Sequence, residues 1–187
     1  MIILGITGTL GAGKGTVADY LKEKGFAYFS VREFLTEEIL KRGMPVNRDS
    51  MVEVGNDLRK KNGPSYILDT LYARAEVEGR DAVIESIRTV GEVEELRKKG
   101  MLLLSVDADP QIRYSRVQFR KSETDHVSFE IFMEHELRES EGDDPGKQNL
   151  RHTVKLADYH VTNDGTIEDL KMQIDAILDT IRKHHAN

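Results

Sequence analysis

From Gly8 to Thr16 the chain reads Gly-Thr-Leu-Gly-Ala-Gly-Lys-Gly-Thr. The apolar run Met1 to Ile6 precedes it, and Val17 to Lys22 follows with helical spacing. Strand, glycine-rich turn and helix in that order are the setting a phosphate-binding loop requires. Gly8, Gly11, Gly13 and Gly15 let the backbone turn tightly, and with Ala12 they aim successive N–H groups inward. The helix N-terminus adds a partial positive charge, so main chain and dipole hold a polyphosphate together. Lys14 is then placed to reach the terminal phosphates. The strict pattern puts a hydroxyl directly after the lysine. Here Gly15 follows, and the hydroxyl comes one residue later, at Thr16. A chance glycine-rich turn is the competing explanation, and it leaves the flanking strand and helix unexplained.

The elements that must carry this loop are legible as an alternation. Strands are expected at Ile2–Ile6, Phe26–Phe29, Asp81–Glu85, Met101–Val106 and Tyr159–Thr162. Helices are expected at Gly15–Lys24, Val31–Arg42, Asn47–Lys61, Pro64–Glu78, Val90–Lys99, Pro110–Arg120 and Ser128–Ser140, and from Ile167 onward. Ser30 and Glu33 have the spacing of a capping box for the second of these helices. Ile167, Leu170, Ile174, Ile177, Leu178 and Ile181 form one stripe on the last. Glu141 to Asn149, polar with glycine and proline, reads as a loop. Strands alternating with helices indicate an α/β fold of three layers, a parallel sheet covered by helices on both faces. Ligands of such sheets bind at the carboxyl ends of the strands. The residues there are Arg32 and Glu33, then Glu85, Ser86 and Arg88, then Asp107 and Asp109, and finally Asn163 and Asp164. A purely structural sheet has no need of charge at every strand end.

Composition sets the outer limits. The chain has 187 residues, 39% hydrophobic and 32% charged, which fits one globular domain with a single substantial core. A net charge of −6 argues against non-specific nucleic-acid binding. No apolar run approaches the ~18 residues of a membrane span. With no cysteine and no basic leader, a cytoplasmic location is the expectation.

The Gly13-Lys14-Gly15-Thr16 ending resembles the nucleoside monophosphate kinases, adenylate kinase above all. Several later segments look like related kinase-like proteins grouped with dephospho-CoA kinase. They are Val83-Ile84-Glu85-Ser86-Ile87-Arg88 with Glu92-Val93-Glu94, Val106-Asp107-Ala108-Asp109-Pro110, and Leu156-Ala157-Asp158-Tyr159 through Asn163-Asp164-Gly165-Thr166. The resemblance spans nearly the whole chain in order. It implies strand order 2-3-1-4-5 in a single domain, 1–187. Within it, residues 1–29, 79–110 and 150–187 form the core, 30–78 an acceptor-binding region and 111–149 a lid.

The resemblance also implies phosphoryl transfer from ATP with Mg²⁺ to a small-molecule nucleotide acceptor, by a monomer or small homo-oligomer. On that basis Gly8, Gly11, Ala12, Gly13, Lys14, Gly15 and Thr16 bind ATP, with Arg113, Asn163 and Asp164 beside them. Arg32, Arg88 and Arg138 meet the acceptor, and Arg151 is a weaker candidate. Lys14, Arg88, Arg116 and Arg120 act on the transferred group. Thr16 and Glu85 serve Mg²⁺, in part through water. Two departures stand out. Glu85 occupies a position where relatives usually carry aspartate, and the hydroxyl after Lys14 is missing.

Each charged group also has a plainer use. Arg88 stands four before Glu92, the spacing of a surface ion pair. Arg113, Arg116 and Arg120 suit the solvated face of a helix, and Glu139 to Asp144 a solvated loop. Arg59, Lys60 and Lys61 read as complements to a helix dipole. The histidines have no metal spacing with a matching carboxylate. Two other functions compete with a nucleoside monophosphate kinase. One is a kinase acting on a hydroxyl of a larger nucleotide-like molecule such as dephospho-CoA. The other is an ATP-binding switch with slow hydrolysis. A GTPase switch would show a guanine-selecting Asn-Lys-x-Asp and an Asp-x-x-Gly after the third strand. The chain has no Asn-Lys-x-Asp, and the third strand runs on as Glu85-Ser86-Ile87-Arg88.

Overall fold

The computed structural model describes residues 1–119, 127–140 and 149–185, with Arg48, His135, Arg138, Glu139, Ser140 and His185 given by backbone alone. In chain order the first half is β1 (Ile3–Gly8), α1 (Lys14–Glu23), β2 (Ala27–Ser30), α2 (Val31–Lys41), α3 (Arg48–Asn62) and α4 (Tyr66–Glu78). Then come β3 (Ala82–Glu85), α5 (Val90–Lys98), β4 (Leu102–Asp107), α6 (Pro110–Phe119), α7 (Phe129–Ser140), α8 (Leu150–Lys155), β5 (Tyr159–Thr162) and α9 (Ile167–His185). The sheet is parallel, in the order β2-β3-β1-β4-β5. Every residue of β1 is buried, as befits a central strand covered on both faces.

Side chains alternate between two cores. Leu4, Ile6, Val83, Leu104 and Val106 face α1 and α9, where they meet Val17, Leu21, Leu170, Ile174 and Leu178. Ile3, Ile84 and Leu103 face the opposite way, against Phe34 and Ile39 of α2, Leu58 of α3, Leu71 of α4 and Leu96 of α5. Burying each of these aliphatic side chains contributes roughly 1.5–3 kcal/mol. The register aligns Ser30 with Glu85 and Ile6 with Glu85, so the ends of β2, β1 and β3 stand in one row. At the outer edge, Gln173 of α9 accepts from the Thr162 N–H at 3.2 Å and donates to the Thr162 carbonyl at 3.0 Å.

Some expectations need correction. One element has no counterpart among the expected helices: α8 forms beyond Asn149, with the Asn149 side chain accepting from the His152 N–H and with Leu150 and Thr153 buried. Ser30 caps α2 through the Glu33 N–H, but the reciprocal half of that capping box is missing. Full boxes occur instead at Asn47/Ser50 and Thr89/Glu92. Ile167, expected on the buried stripe of α9, is 55% exposed. The α4 helix begins at Tyr66, beyond Pro64. Residues 120–126 and 141–148, and so Arg120 and most of the acidic run Glu139 to Asp144, lie outside the described residues. No described helix is long and apolar enough to cross a membrane.

Candidate active site

The loop between β1 and α1 folds as a tight cradle. Gly13 is the N-cap of α1 in the left-handed region, φ 102°, and a Cβ there would stand 2.2 Å from Asn163 Nδ2. Gly11 has φ 81°, and its Cβ would lie 2.5 Å from the Arg113 carbonyl oxygen. Glycine is therefore required twice, by conformation and by room. No side chain caps α1 and no acidic residue stands in its first turn. Its leading N–H groups and the dipole are left for an anion.

Lys14 is buried, and its ammonium donates to the carbonyls of Gly8 at 2.8 Å and Thr9 at 2.9 Å. The side chain thus folds back over the loop it follows. Gly15 and Thr16 are exposed on the first turn of α1.

The ends of β4 and β5 brace the loop. The Thr9 hydroxyl donates to Asp107 at 2.6 Å. Asn163 is buried, donates through Nδ2 to the Ala12 carbonyl at 2.8 Å, and donates its N–H to the Asp107 carbonyl at 2.8 Å. Asp164 accepts from the Asp109 N–H at 2.7 Å, fixing the turn into α6. Asn163 and Asp164 therefore hold the framework of the loop with the same polar groups that the sequence assigns to nucleotide.

The arginines of α6 divide. Arg113 is 3% exposed, paired with Glu136 of α7, laid over the Phe132 ring and bonded to the Ala108 carbonyl at 2.8 Å. It is part of the packing between loop, α6 and α7. A solvated arginine face, the plainer reading of this helix, does not describe it. Arg116 donates from Nη2 to the Asn163 carbonyl at 2.9 Å. Its Nη1 is buried and has no hydrogen-bond partner among the described residues. A buried donor in that condition costs about 1–3 kcal/mol unless something arrives to accept from it. Arg120 lies outside the described residues, as does the side chain of Arg138.

On the other side of β1, Glu85 is half-buried, accepting from the Tyr28 hydroxyl at 3.3 Å and the Ser86 hydroxyl at 2.8 Å. Burial, and after it the charge of Glu85, pushes the Tyr28 phenol up to about 12, against a lowering hydrogen bond from Ser30. Tyr28 thus stays a donor through the neutral range. Ser86 has φ 79°, the one positive-φ residue other than glycine among the described residues. Such strain concentrates where surrounding structure fixes a functional backbone. Here the Ser86 and Ile87 N–H groups both bond to the Ile6 carbonyl, and the Thr7 hydroxyl holds the Ile87 carbonyl. Arg88 follows, half-buried, with its N–H on Glu92 at 2.9 Å and its carbonyl accepting from the Asn149 N–H at 3.0 Å. Arg32 is exposed at the start of α2, and its guanidinium has no partner among the described residues. Arg151 is exposed on α8.

Sequence reasoning missed Glu136 as the partner of Arg113, because nothing in the spacing joins residues on two helices. It also misread Arg59. That residue is 5% exposed and paired at 2.8 Å with Glu92, which is fully buried. Dipole compensation at a helix end does not explain it. The full capping box at Thr89 and Glu92 was the available signal.

The residues fit a nucleoside triphosphate with Mg²⁺. The cradle has N–H groups and an ammonium for phosphates, and Arg116 has a donor in want of an acceptor. Each Glu85 oxygen accepts one hydrogen bond, which leaves about half of a carboxylate's lone-pair sites for water held by a metal. No group of three or more potential metal-ligating side chains occurs among the described residues.

The AAA_18 family model, described as an AAA domain, matches residues 4–144. The UPF0200 protein MJ1399 of Methanocaldococcus jannaschii is 30% identical over 185 residues, 97% of this chain and 91% of that one. A UPF0200 protein of Pyrococcus abyssi is 29% identical over 97% of both chains. Among solved structures, TT1252 from Thermus thermophilus aligns with TM-score 0.60 and 24% identity, covering 96% and 97% of the two chains. Shikimate kinase from Bacteroides thetaiotaomicron aligns at 0.59 with 12% identity, over 95% and 98%. Dephospho-CoA kinase from Campylobacter jejuni aligns at 0.57 with 12% identity, over 98% of each. At these identities the structural likeness is one of fold: the five-stranded parallel sheet in the order β2-β3-β1-β4-β5, with helices on both faces, is an arrangement shared with kinases of known structure.

Proposed function

This chain belongs to the AAA_18 family of AAA domains and to the UPF0200 proteins, and from that premise we propose that it is an ATP-dependent nucleotide kinase. The acceptor we assign is a nucleoside monophosphate. The observation that carries the reading is the cradle itself: an uncapped helix N-terminus with the Lys14 ammonium folded over it. In our reading residues 30–78 receive the acceptor, 111–149 close over the donor, and the remainder is the core. The site assignments are Gly8 to Thr16 with Asn163 and Asp164 for ATP, Arg32 and Arg88 for the acceptor phosphate, and Arg116 for the transferred group. Arg113 acts through the walls of the cradle.

The chemistry is largely positioning and charge neutralisation. An acceptor phosphate oxygen forms the new bond to the γ-phosphorus, the bond to the β,γ-bridging oxygen breaks, and ADP leaves. The loop N–H groups and Lys14 hold the donor phosphates, and Arg116 directs its unpartnered N–H at charge spread over the transferred group. Arg88, anchored by its backbone on both sides, orients the acceptor. Mg²⁺, when bound with the nucleotide, neutralises phosphate charge, and Glu85 and Thr16 are the residues that would hold it. Location in the cytoplasm accords with this reading.

One observation favours a second reading. Glu85 is a strand-end carboxylate steadied by two hydroxyl donors, a group suited to accept a proton from an acceptor hydroxyl. A phosphate acceptor has no such proton to lose. The deciding experiment is a transfer screen with ATP and Mg²⁺ across ribo- and deoxyribonucleoside monophosphates and dephospho-CoA. Transfer to a monophosphate is the expected result. Transfer to dephospho-CoA alone would establish the hydroxyl reading, and ATP binding without transfer would put the slow-hydrolysis switch first.

A further inference from the structure

The carboxylate of Glu92 is fully buried and makes four hydrogen bonds to groups of known position. Oε1 accepts from Arg59 Nε at 3.3 Å and Nη2 at 2.8 Å. Oε2 accepts from the backbone N–H groups of Arg88 at 2.9 Å and Thr89 at 3.1 Å. A capping box needs its carboxylate to reach only the N-cap N–H, here that of Thr89. It requires neither complete burial, nor a second N–H, nor a guanidinium. Replacing buried ion pairs by apolar residues is often neutral or stabilising, so stability by itself is a poor reason for this one.

The pair joins two parts of the molecule that the chain separates by 33 residues. Arg59 is on α3, and Glu92 is on α5 just beyond the strand-end segment Ser86 to Thr89. With the two bonds from Ser86 and Ile87 to the Ile6 carbonyl, Glu92 completes the set: all four N–H groups from Ser86 to Thr89 are held. Room for the guanidinium is also provided. Gly55 stands in the interior of α3, where glycine disfavours helix, and a Cβ there would be 3.2 Å from Arg59 Nη1. A neighbour this tight would push on the arginine that reaches Glu92.

We propose that Arg59 and Glu92 are a positioning pair that sets the backbone of Arg88 from the α3 side. Neither residue touches the reacting atoms. Arg59 fixes the Glu92 carboxylate by a two-pronged contact, and the carboxylate fixes the Arg88 and Thr89 N–H groups. The Arg88 side chain is then presented at one height above the strand ends. Because α3 belongs to the region assigned to the acceptor, the seating of that region and the placement of Arg88 become a single event. The kinetic part of this proposal rests on the kinase reading, whereas the backbone part does not.

The test compares the wild-type chain with Arg59→Met, Arg59→Lys and Glu92→Gln. Residue-resolved amide exchange at Arg88 and Thr89, ATP affinity, and kcat and KM for the acceptor found in the transfer screen are measured. In Arg59→Met, exchange at Arg88 and Thr89 should quicken while the β1 amides stay protected. The acceptor KM should rise about 10-fold or more, as small misplacement of a positioning group does, with ATP affinity unchanged. Arg59→Lys, which keeps the charge and loses the fork, should recover part of both effects and provides a folded comparison if Arg59→Met is too unstable. Glu92→Gln should resemble Arg59→Met in exchange and kinetics. Unchanged exchange at Arg88 and Thr89 would overturn the proposal, whether or not the protein transfers phosphate. A parallel loss of ATP affinity and acceptor kinetics would also overturn it, since the pair would then serve the fold as a whole. If the wild type transfers nothing, the kinase reading fails and the exchange measurement alone decides the pair.

Discussion

Lys14 is held at 2.8 and 2.9 Å by two carbonyls of the loop it serves, so its charge is in place before any ligand arrives. Preorganised charge of this kind stabilises a transition state without reorganisation at the moment of reaction. Lys14→Ala should lower the transfer rate by about 10²-fold or more, with retained folding checked by circular dichroism. An unchanged rate would remove the cradle from the mechanism. Tyr28 supplies a prediction of a different kind. Its phenol lies above its ordinary value of 10.0, at about 12, so the unfolded chain gives up this proton first. The stabilisation is complete below pH 10 and is lost as pH rises toward 12. Urea unfolding across that interval should show a falling midpoint, with a shallower fall in Tyr28→Phe. Identical slopes would mean that burial and Glu85 do not act on this phenol.

At the scale of elements, the loop is as specific as its glycines. Gly11→Ala would force φ 81° on an L side chain and push its Cβ against the Arg113 carbonyl. The expected loss is about 1–3 kcal/mol, read as a lower unfolding midpoint. Gly15→Ala is the control, because nothing lies within 4 Å of a Cβ there and alanine favours the first turn of α1. Equal destabilisation by both would show that crowding at Gly11 is not the cause.

The same contrast explains what could be seen from sequence. The central strands and the cradle were legible because burial on two faces writes continuous apolar runs, and the loop needs glycine at fixed spacing. The edge strands β2 and β5, only partly buried, were legible from the turns beside them. The short α8 was not legible, since six residues with two buried side chains are too few to display a helical period. Arg113 was legible as one of a run of arginines on α6 but not as the partner of Glu136, and Arg59 as a helix-end charge but not as the partner of Glu92. Pairings across the fold leave no local pattern.

At the scale of the molecule, two cores on either side of one sheet are joined at the carboxyl edge by the loop, Asn163 and Glu92. Ligand at that edge should therefore stabilise the whole chain rather than one element. ATP at about 100 times its dissociation constant should contribute about 2.7 kcal/mol. For a chain of this length that corresponds to a rise in melting temperature of about 5–10 °C. An ATP-independent melting temperature would contradict nucleotide binding at the cradle.

The two bonds from Gln173 to Thr162 bear on how this protein behaves in a crowded solution. A sheet ends with a strand whose outward N–H and C=O groups invite pairing by any extended chain that passes. At Thr162 both groups are already taken by one amide of the same molecule. A second copy adding its own strand beside β5 would first have to displace Gln173, and so give up two bonds to form two. At Thr162 that exchange brings little net gain, so the end of β5 is a poor template for a sixth strand.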